Sequence, residues 1–245
     1  SKDHSVKIAS MTRGETGIDP KSPSDHKFKG ERLGKIRTHE FYKVMEFHGI
    51  NRDDIHFFNI INGFVRFNIE TINLIAYYLK KETPDIIFAP AARNTYYRHP
   101  DHMKTGKIIY YILDKNIIPN FKPKLYFYSS IGSNFHWPFN KDEIQTVLTL
   151  FQMHKSQQWM MRNIKTLYRF LTFIIGRHIR KRGLSYKYAE GYRRVYYGDE
   201  NYKNIGLGLI GRIILILSIK FWPETVSPIE DLISTLNLDK MGRIT

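Results

Sequence analysis

A strand-length apolar segment followed by a proline most constrains the fold of this chain. Asp85 to Ala89 has the length and apolar character of a buried strand, and Pro90 ends it. A short loop then leads to Pro100, which suits the first turn of a helix. Open α/β sheets build their active sites at the carboxyl ends of their strands. The sequence therefore predicts a functional loop before Pro100.

Two histidines and a carboxylate lie at the end of this loop, at His99, Asp101 and His102. A neutral imidazole is a good ligand for zinc, and a nearby carboxylate can orient it through the second ring nitrogen. The chain has no cysteine, so a metal site here would need histidine and carboxylate ligands. Two ordinary surface histidines beside a helix N-terminus would give the same pattern, and this alternative stays open.

Strands and helices alternate over the first half of the chain. We predict strands over 6–11, 55–61, 85–89 and 125–128, and helices over 33–45, 69–79 and 100–113. This alternation predicts an α/β fold with a mostly parallel, Rossmann-like sheet flanked by helices. After Pro138 the apolar spacing becomes helical, first over 144–151 and then over 160–174.

The length of 245 residues is enough for one large domain with an extension. We predict an α/β domain over residues 1–195 and a helical extension over 196–245. The apolar run 207–222 contains Arg212 and Lys220, which argues against a membrane span. A buried helix is favoured there, and an interfacial helix is the alternative.

The chain is strongly basic, with a net charge of +15. Such an excess favours acidic partners, either nucleic acid or an anionic membrane surface. The densest basic cluster is 177–182, where complementarity to a helix dipole is an equally good explanation. Binding of nucleic acid would use Arg177 to Arg194 with the tyrosines between them for stacking. We do not expect nucleic acid as a partner, and peripheral membrane contact stays an alternative.

Five segments, taken in order, resemble one known family. They are Thr12 to Gly17, Arg37 to Glu40, Pro84 to Gly106 with its His-Pro-Asp-His, His154 to Gln157, and Ala189 to Arg193. Together they resemble the N-acetylglucosaminyl deacetylases, the LmbE-like or PIG-L family of zinc-dependent amidohydrolases. The resemblance implies that residues 1–195 are an LmbE-like deacetylase domain.

The same resemblance implies roles for the loop residues. His102 would be a zinc ligand, and His99 would stabilise the tetrahedral intermediate and protonate the leaving amine. Asp101 would be catalytic by holding a histidine in its working orientation. A plain helix N-terminal carboxylate is the alternative for Asp101.

Four further residues are candidates for substrate binding by resemblance and position: Thr12, Glu15, Arg37 and Tyr97. Arg37 would reach the sugar or its attached group. A surface ion pair between Arg37 and Glu40 at i,i+3 is the alternative. Tyr97 could equally be a packing residue.

One family feature is missing from the chain. Members usually open with a strand ending in His-Pro-Asp-Asp-Glu, and no such motif is present. We interpret the sequence as lacking the first strand and helix, so that the remaining zinc ligands are expected upstream of Ser1. The chain by itself is therefore predicted to bind zinc weakly or not at all.

The leading hypothesis is a zinc-dependent hydrolase that removes the acetyl group from an N-acetylglucosamine-type sugar conjugate. We expect a cytoplasmic protein, and peripheral association with a membrane is the alternative. The alternative is a non-catalytic sugar-binding or scaffold protein of the same fold that has lost its metal site.

Overall fold

The computed structural model describes residues 4–17, 30–180, 183 and 186–198. The helices in this part of the chain are α1 (Glu31–Phe47), α2 (Ile69–Glu82), α3 (Pro100–Asp114), α4 (Lys141–Met153) and α5 (Gln158–Arg180). Its strands are β1 (Ile8–Ser10), β2 (Ile55–Phe57), β3 (Ile86–Pro90), β4 (Lys124–Tyr128), β5 (Phe135–Phe139) and β6 (Tyr188–Val195).

The first of two compact units contains the described residues up to 64 together with 141–171. Its strands β1 and β2 form a parallel pair, with Ile8 opposite Ile55. Helix α1 packs against α4. Burial of apolar side chains from these elements and from the segment after β2 stabilises the unit, and the most buried are Leu33, Val44, Phe58, Ile60, Ile61, Ile144 and Leu148.

The second unit contains 65–140 and the described residues of 172–198. Its sheet has the strand order β3-β4-β6-β5. Strands β3 and β4 are parallel, with Ile86 opposite Lys124, whereas β6 runs antiparallel to both of its neighbours. Because side chains alternate across a strand, Ile87 and Ala89 are buried while Phe88 is exposed.

Helix α3 lies unusually close to the end of β3. A Cβ atom added at Gly106 would collide with the carbonyl oxygen of Pro90, so only glycine permits this approach. Pro100 occupies the first turn of α3, as its fixed φ angle favours. The start of α3 is thereby fixed beside the loop that follows β3.

The predicted α/β fold class is confirmed, and the predicted parallel pairing is found between β1 and β2 and between β3 and β4. The antiparallel pairing of β6 with β4 and β5 differs from the predicted parallel pattern. Observed helices and strands lie at the predicted positions, with ends shifted by a few residues. The prediction missed β5 and β6, because Pro138 and the run Arg193-Arg194 mask their apolar alternation. Pro138 is tolerated because β5 pairs on one side only, with β6, among the described strands.

Most of the predicted C-terminal extension, and with it the apolar run 207–222, lies outside the described residues. The predicted division at residue 195 stays a prediction. Among the helices that are described, none combines the length and apolar character needed to cross a membrane.

Candidate active site

The loop after β3 is tied to the carboxyl end of β4. The backbone N–H of Ala91 donates to the carbonyl of Tyr128 (3.1 Å), and that of Tyr96 donates to the carbonyl of Ser129 (3.2 Å). The two chain segments thus continue to pair beyond the strands themselves. This pairing sets the path along which the chain reaches His99.

His99 caps the N-terminus of α3. Its ring Nδ1 lies 3.2 Å from the backbone N–H of Asp101 and accepts a hydrogen bond from it. A neutral imidazole that accepts at Nδ1 carries its proton on Nε2. Nε2 of His99 is therefore the donor of this ring, and the ring itself is partly exposed.

Asp101 ties the start of α3 to the beginning of the second unit. Its side chain is buried, and Oδ1 accepts a hydrogen bond from the backbone N–H of Val65 at 3.2 Å. A carboxylate in the first turn of a helix is also favoured by the helix dipole. The hydrogen bond from Val65 thus gives Asp101 a structural role. Its predicted catalytic role stays a prediction.

His102 forms a cluster of rings with Tyr97 and His99. Its ring centroid lies 4.5 Å from that of Tyr97 and 5.5 Å from that of His99. Burial lowers the pKa of His102 to about 3, and the neighbouring His99 adds to this effect. Its Nδ1 atom is buried and has no hydrogen-bond partner. His102 is thus a neutral imidazole with one buried nitrogen available to a ligand.

Glu15 lies in the loop after β1, in the first unit, and is completely buried. One carboxylate oxygen accepts from Nε of Arg13 at 3.1 Å, and the other accepts from the backbone N–H of Asn62 at 3.2 Å. These contacts join the loop to the segment after β2. Glu15 therefore supports the loop directly, and any contact to a substrate stays a prediction.

Arg37 extends from α1 toward the same loop. Its guanidinium donates to the carbonyl of Gly14 at 2.6 Å. Cβ atoms at Gly14 or Gly17 would collide with this guanidinium, so the two glycines make room for it. Thr12 precedes them in the loop, and its carbonyl accepts from the hydroxyl of Ser10 at 2.8 Å.

Glu40 has a partner that the sequence did not indicate. Its buried carboxylate accepts from the backbone N–H of Ser156 at 2.7 Å and from the Ser156 hydroxyl at 2.6 Å. Sequence spacing pointed instead to Arg37, one turn away. A contact across 116 positions leaves no local pattern in the sequence. The one available signal was that both segments belong to the family resemblance.

The predicted site residues thus fall into two groups. In the second unit the structure brings together Tyr97, His99, Asp101 and His102. In the first unit one loop and the helix facing it hold Thr12, Glu15 and Arg37. The roles assigned to these residues stay predictions.

Residues 1–113 match the model of the family described as PIG-L, GlcNAc-PI de-N-acetylase. The predicted resemblance to the PIG-L family is confirmed over these residues. The matched stretch is just under half of the chain. It nevertheless includes every predicted site residue, from Thr12 to His102. No curated protein matches the chain.

Solved structures with PIG-L-like folds resemble this chain. One is N,N'-diacetylchitobiose deacetylase from Pyrococcus horikoshii, with 23% identity, 76% of this chain and 71% of that chain covered, and a TM-score of 0.65. Another is a conserved protein from Thermus thermophilus, with 18% identity, 80% and 85% covered, and a TM-score of 0.61. At these identities the likeness concerns the fold alone.

A third similar structure is that of a 4-carboxy-2-hydroxymuconate hydratase from Pseudomonas putida. The two sequences are 14% identical, the match covers 80% of this chain and 85% of the hydratase chain, and the TM-score is 0.60. A hydratase and a deacetylase therefore share this fold. Function must be argued from the site rather than from the architecture.

The zinc implied by the PIG-L resemblance can be tested against the residues present. His102 fits a ligand, because its buried Nδ1 has no other partner and its ring is neutral. Within the described ranges, no group of three or more histidine, aspartate or glutamate side chains could hold a metal ion. The described residues therefore do not fit a complete zinc centre.

Proposed function

We propose that the protein is a de-N-acetylase that removes the acetyl group from an N-acetylglucosamine-type sugar conjugate. The observation that carries this proposal is the cluster of His99 and His102 at the carboxyl end of β3. The cluster lies within the stretch that matches the PIG-L family. The proposed reaction is hydrolysis, in which water attacks the amide carbonyl, the C–N bond breaks, and acetate and a free amine are released.

His99 would act on the charges that develop in this reaction. Amide hydrolysis needs a donor for the oxyanion and a proton for the leaving nitrogen. Because Nδ1 of His99 accepts from the backbone of Asp101, Nε2 is the nitrogen that would donate. The cap also holds the ring in one orientation, so the donor is positioned before the substrate binds.

The proposed activity depends on zinc, in keeping with the family resemblance. Zinc, when bound, supplies a Lewis acid and lowers the pKa of a bound water. His102 would be one ligand through its buried Nδ1. Further ligands would have to come from outside the described residues.

Contacts to the sugar are proposed for Thr12, Arg37 and Tyr97, with Glu15 acting on the loop of Thr12. Tyr97 is partly exposed, and its ring lies close to that of His102, which supports a contact near the scissile amide. The net charge of +15 supports a substrate that carries phosphate or lies at an anionic membrane surface. We place the activity in the cytoplasm, where this contact would be peripheral.

An assay of amine release tests the proposal. The protein expressed from its complete reading frame, loaded with zinc, is incubated with a panel of N-acetylglucosamine conjugates, and free amine is measured. Replacing His99→Gln removes the group that can give a proton to the leaving nitrogen and is expected to lower the rate by about 100-fold or more. His48→Gln is the matched control, because His48 is exposed at the end of α1.

The control should keep the rate within twofold of the wild type. A folded, zinc-loaded wild-type protein that releases no amine from any conjugate would refute the proposal. Binding of a conjugate without release of amine would favour the non-catalytic sugar-binding alternative.

A further inference from the structure

Strand β6 begins at the edge of the sheet where the histidine loop lies. Phe127 of β4 pairs with Arg193 of β6, and the two strands are antiparallel. The carboxyl end of β4 at Tyr128 therefore lies beside the middle of β6, and the first residues of β6 extend beyond it. Because β3 and β4 are parallel, this is also the edge at which the loop to His99 leaves β3. Glu190, the third residue of β6, is thus at the candidate site's edge.

Glu190 is held in place by a tyrosine of its own strand. The hydroxyl of Tyr192 donates to Oε2 of Glu190 at 2.5 Å, and both side chains are partly buried. The two residues lie on one face of β6, as their spacing of two requires. Burial raises the pKa of Glu190, while the hydrogen bond from Tyr192 opposes this rise.

The charge of Glu190 also bears on the pKa of Tyr96 in the histidine loop. Burial raises the pKa of Tyr96 to about 12, and the charge of Glu190 contributes to this rise. Tyr192, the partner of Glu190, packs its ring edge-on against Phe88 of β3, with the ring centroids 5.4 Å apart. The backbone N–H of Tyr96 donates to the carbonyl of Ser129 at 3.2 Å. Glu190 therefore contributes to the electrostatic environment in which this tyrosine stays neutral.

Close packing on the other face of β6 leaves this arrangement little freedom. A Cβ atom added at Gly191 would lie 2.5 Å from the hydroxyl oxygen of Ser133, in the loop after β4. The backbone of β6 thus lies directly against the segment with which the histidine loop pairs. Tyr97, the residue after Tyr96, has its ring 4.5 Å from that of His102.

We propose that Glu190 is a positioning residue: its carboxyl fixes Tyr192, whose ring packs edge-on against Phe88 of β3, and so positions the strand from which the loop that carries Tyr97 and His99 leaves. Its effect on turnover rests on the proposed deacetylase function. The proposal also gives a role to the segment Ala189 to Arg193, which the family resemblance singled out without one. Glu190 acts through other residues and need not touch the substrate.

Kinetic measurements on four variants test this role. The variants are Glu190→Ala, Glu190→Gln, Tyr192→Phe, and the double variant that combines Glu190→Ala with Tyr192→Phe. We expect Glu190→Ala and Tyr192→Phe each to lower kcat by about 10-fold, with KM changed less than twofold. The double variant should lose no more than the larger single loss, because both changes break one interaction. Glu190→Gln should recover most of the activity, since its amide oxygen can still accept from Tyr192.

Imidazole resonances provide a readout that a general loss of stability would not move. NMR signals of His99 and His102 should shift in Glu190→Ala and Tyr192→Phe and return toward wild type in Glu190→Gln. Glu70→Gln is the matched control, because Glu70 is exposed in the first turn of α2 of the same unit. Thermal unfolding of each variant verifies that it is folded.

The two proposals fail in different ways. If the wild-type protein releases no amine, the proposed function fails, while the imidazole signals still test positioning by Glu190. A folded Glu190→Ala variant with unchanged imidazole signals would overturn the positioning role. Losses of kcat that multiply in the double variant would overturn it as well. If Glu190→Ala does not fold, Tyr192→Phe alone supplies the same comparison.

Discussion

Buried carboxylates hold the first unit together at two points. Glu15 accepts from Arg13 within the loop after β1 and joins this loop to the backbone of Asn62. Glu40 joins α1 to Ser156 through both the backbone and the hydroxyl. Hydrogen bonds to a charged group are stronger than neutral ones, and a buried carboxylate without partners would be costly. Each of these residues therefore stabilises a contact between distant parts of the chain.

Replacing Glu40→Ala should lower the free energy of unfolding by about 1.5–3 kcal/mol. The change removes the carboxylate that accepts two hydrogen bonds, so the backbone N–H of Ser156 loses this acceptor. Chemical denaturation measures the effect. Glu46→Ala on the same helix is the matched control, because its ion pair with Arg52 is exposed and should contribute about 0.5 kcal/mol or less. Equal losses in the two variants would contradict the assigned role of Glu40.

At the scale of elements, the approach of α3 to β3 determines where the histidines lie. Helix α3 begins at Pro100, directly after His99, and passes the carbonyl of Pro90 at Gly106. A helix that is close to the strand end over its second turn has little freedom at its first. The position of the helix in turn allows His99 to cap it by accepting a hydrogen bond from the backbone N–H of Asp101.

Replacing Gly106→Ala should destabilise the protein by about 1–3 kcal/mol, because the new methyl group forces α3 away from Pro90. The higher helix propensity of alanine, worth about 1 kcal/mol, would act in the opposite direction. Asn73→Ala in α2 is the control for helix propensity, since Asn73 is exposed. Unfolding measured by circular dichroism decides between the two effects. A variant as stable as the wild type would show that α3 does not need this close approach.

At the scale of the whole molecule, two features bear on function: the excess of positive charge and the set of candidate metal ligands. The chain carries a net charge of +15, which suits a substrate or surface of negative charge. Among the described residues, however, His102 is the predicted ligand and no three-ligand group accompanies it. Three protein ligands are usual for a catalytic zinc.

The sequence predicts that the chain binds zinc weakly or not at all, so that well below one zinc per molecule should remain after dialysis. Metal analysis of the dialysed protein measures this directly, and the His102→Ala variant serves as the comparison. One tightly held zinc per chain would contradict the prediction and would show that other residues complete the site.

Much of the fold was predictable because its signals are local. The apolar run before Pro90, the helix-starting Pro100 and the helical stripes of α1 and α2 identify their elements without tertiary information. Strands β5 and β6 were not predictable, because a proline and paired arginines lie where an apolar alternation would be needed. Their stability comes from pairing with each other and with β4.

By itself the sequence determined the α/β class, the position of the histidine loop and the resemblance to PIG-L, because each depends on neighbouring residues or ordered motifs. Only the tertiary structure decided what Glu15, Glu40 and Glu190 contact. It also showed that His102 has a buried nitrogen without a partner. Burial and long-range hydrogen bonds depend on where distant segments meet, and no spacing along the chain records that.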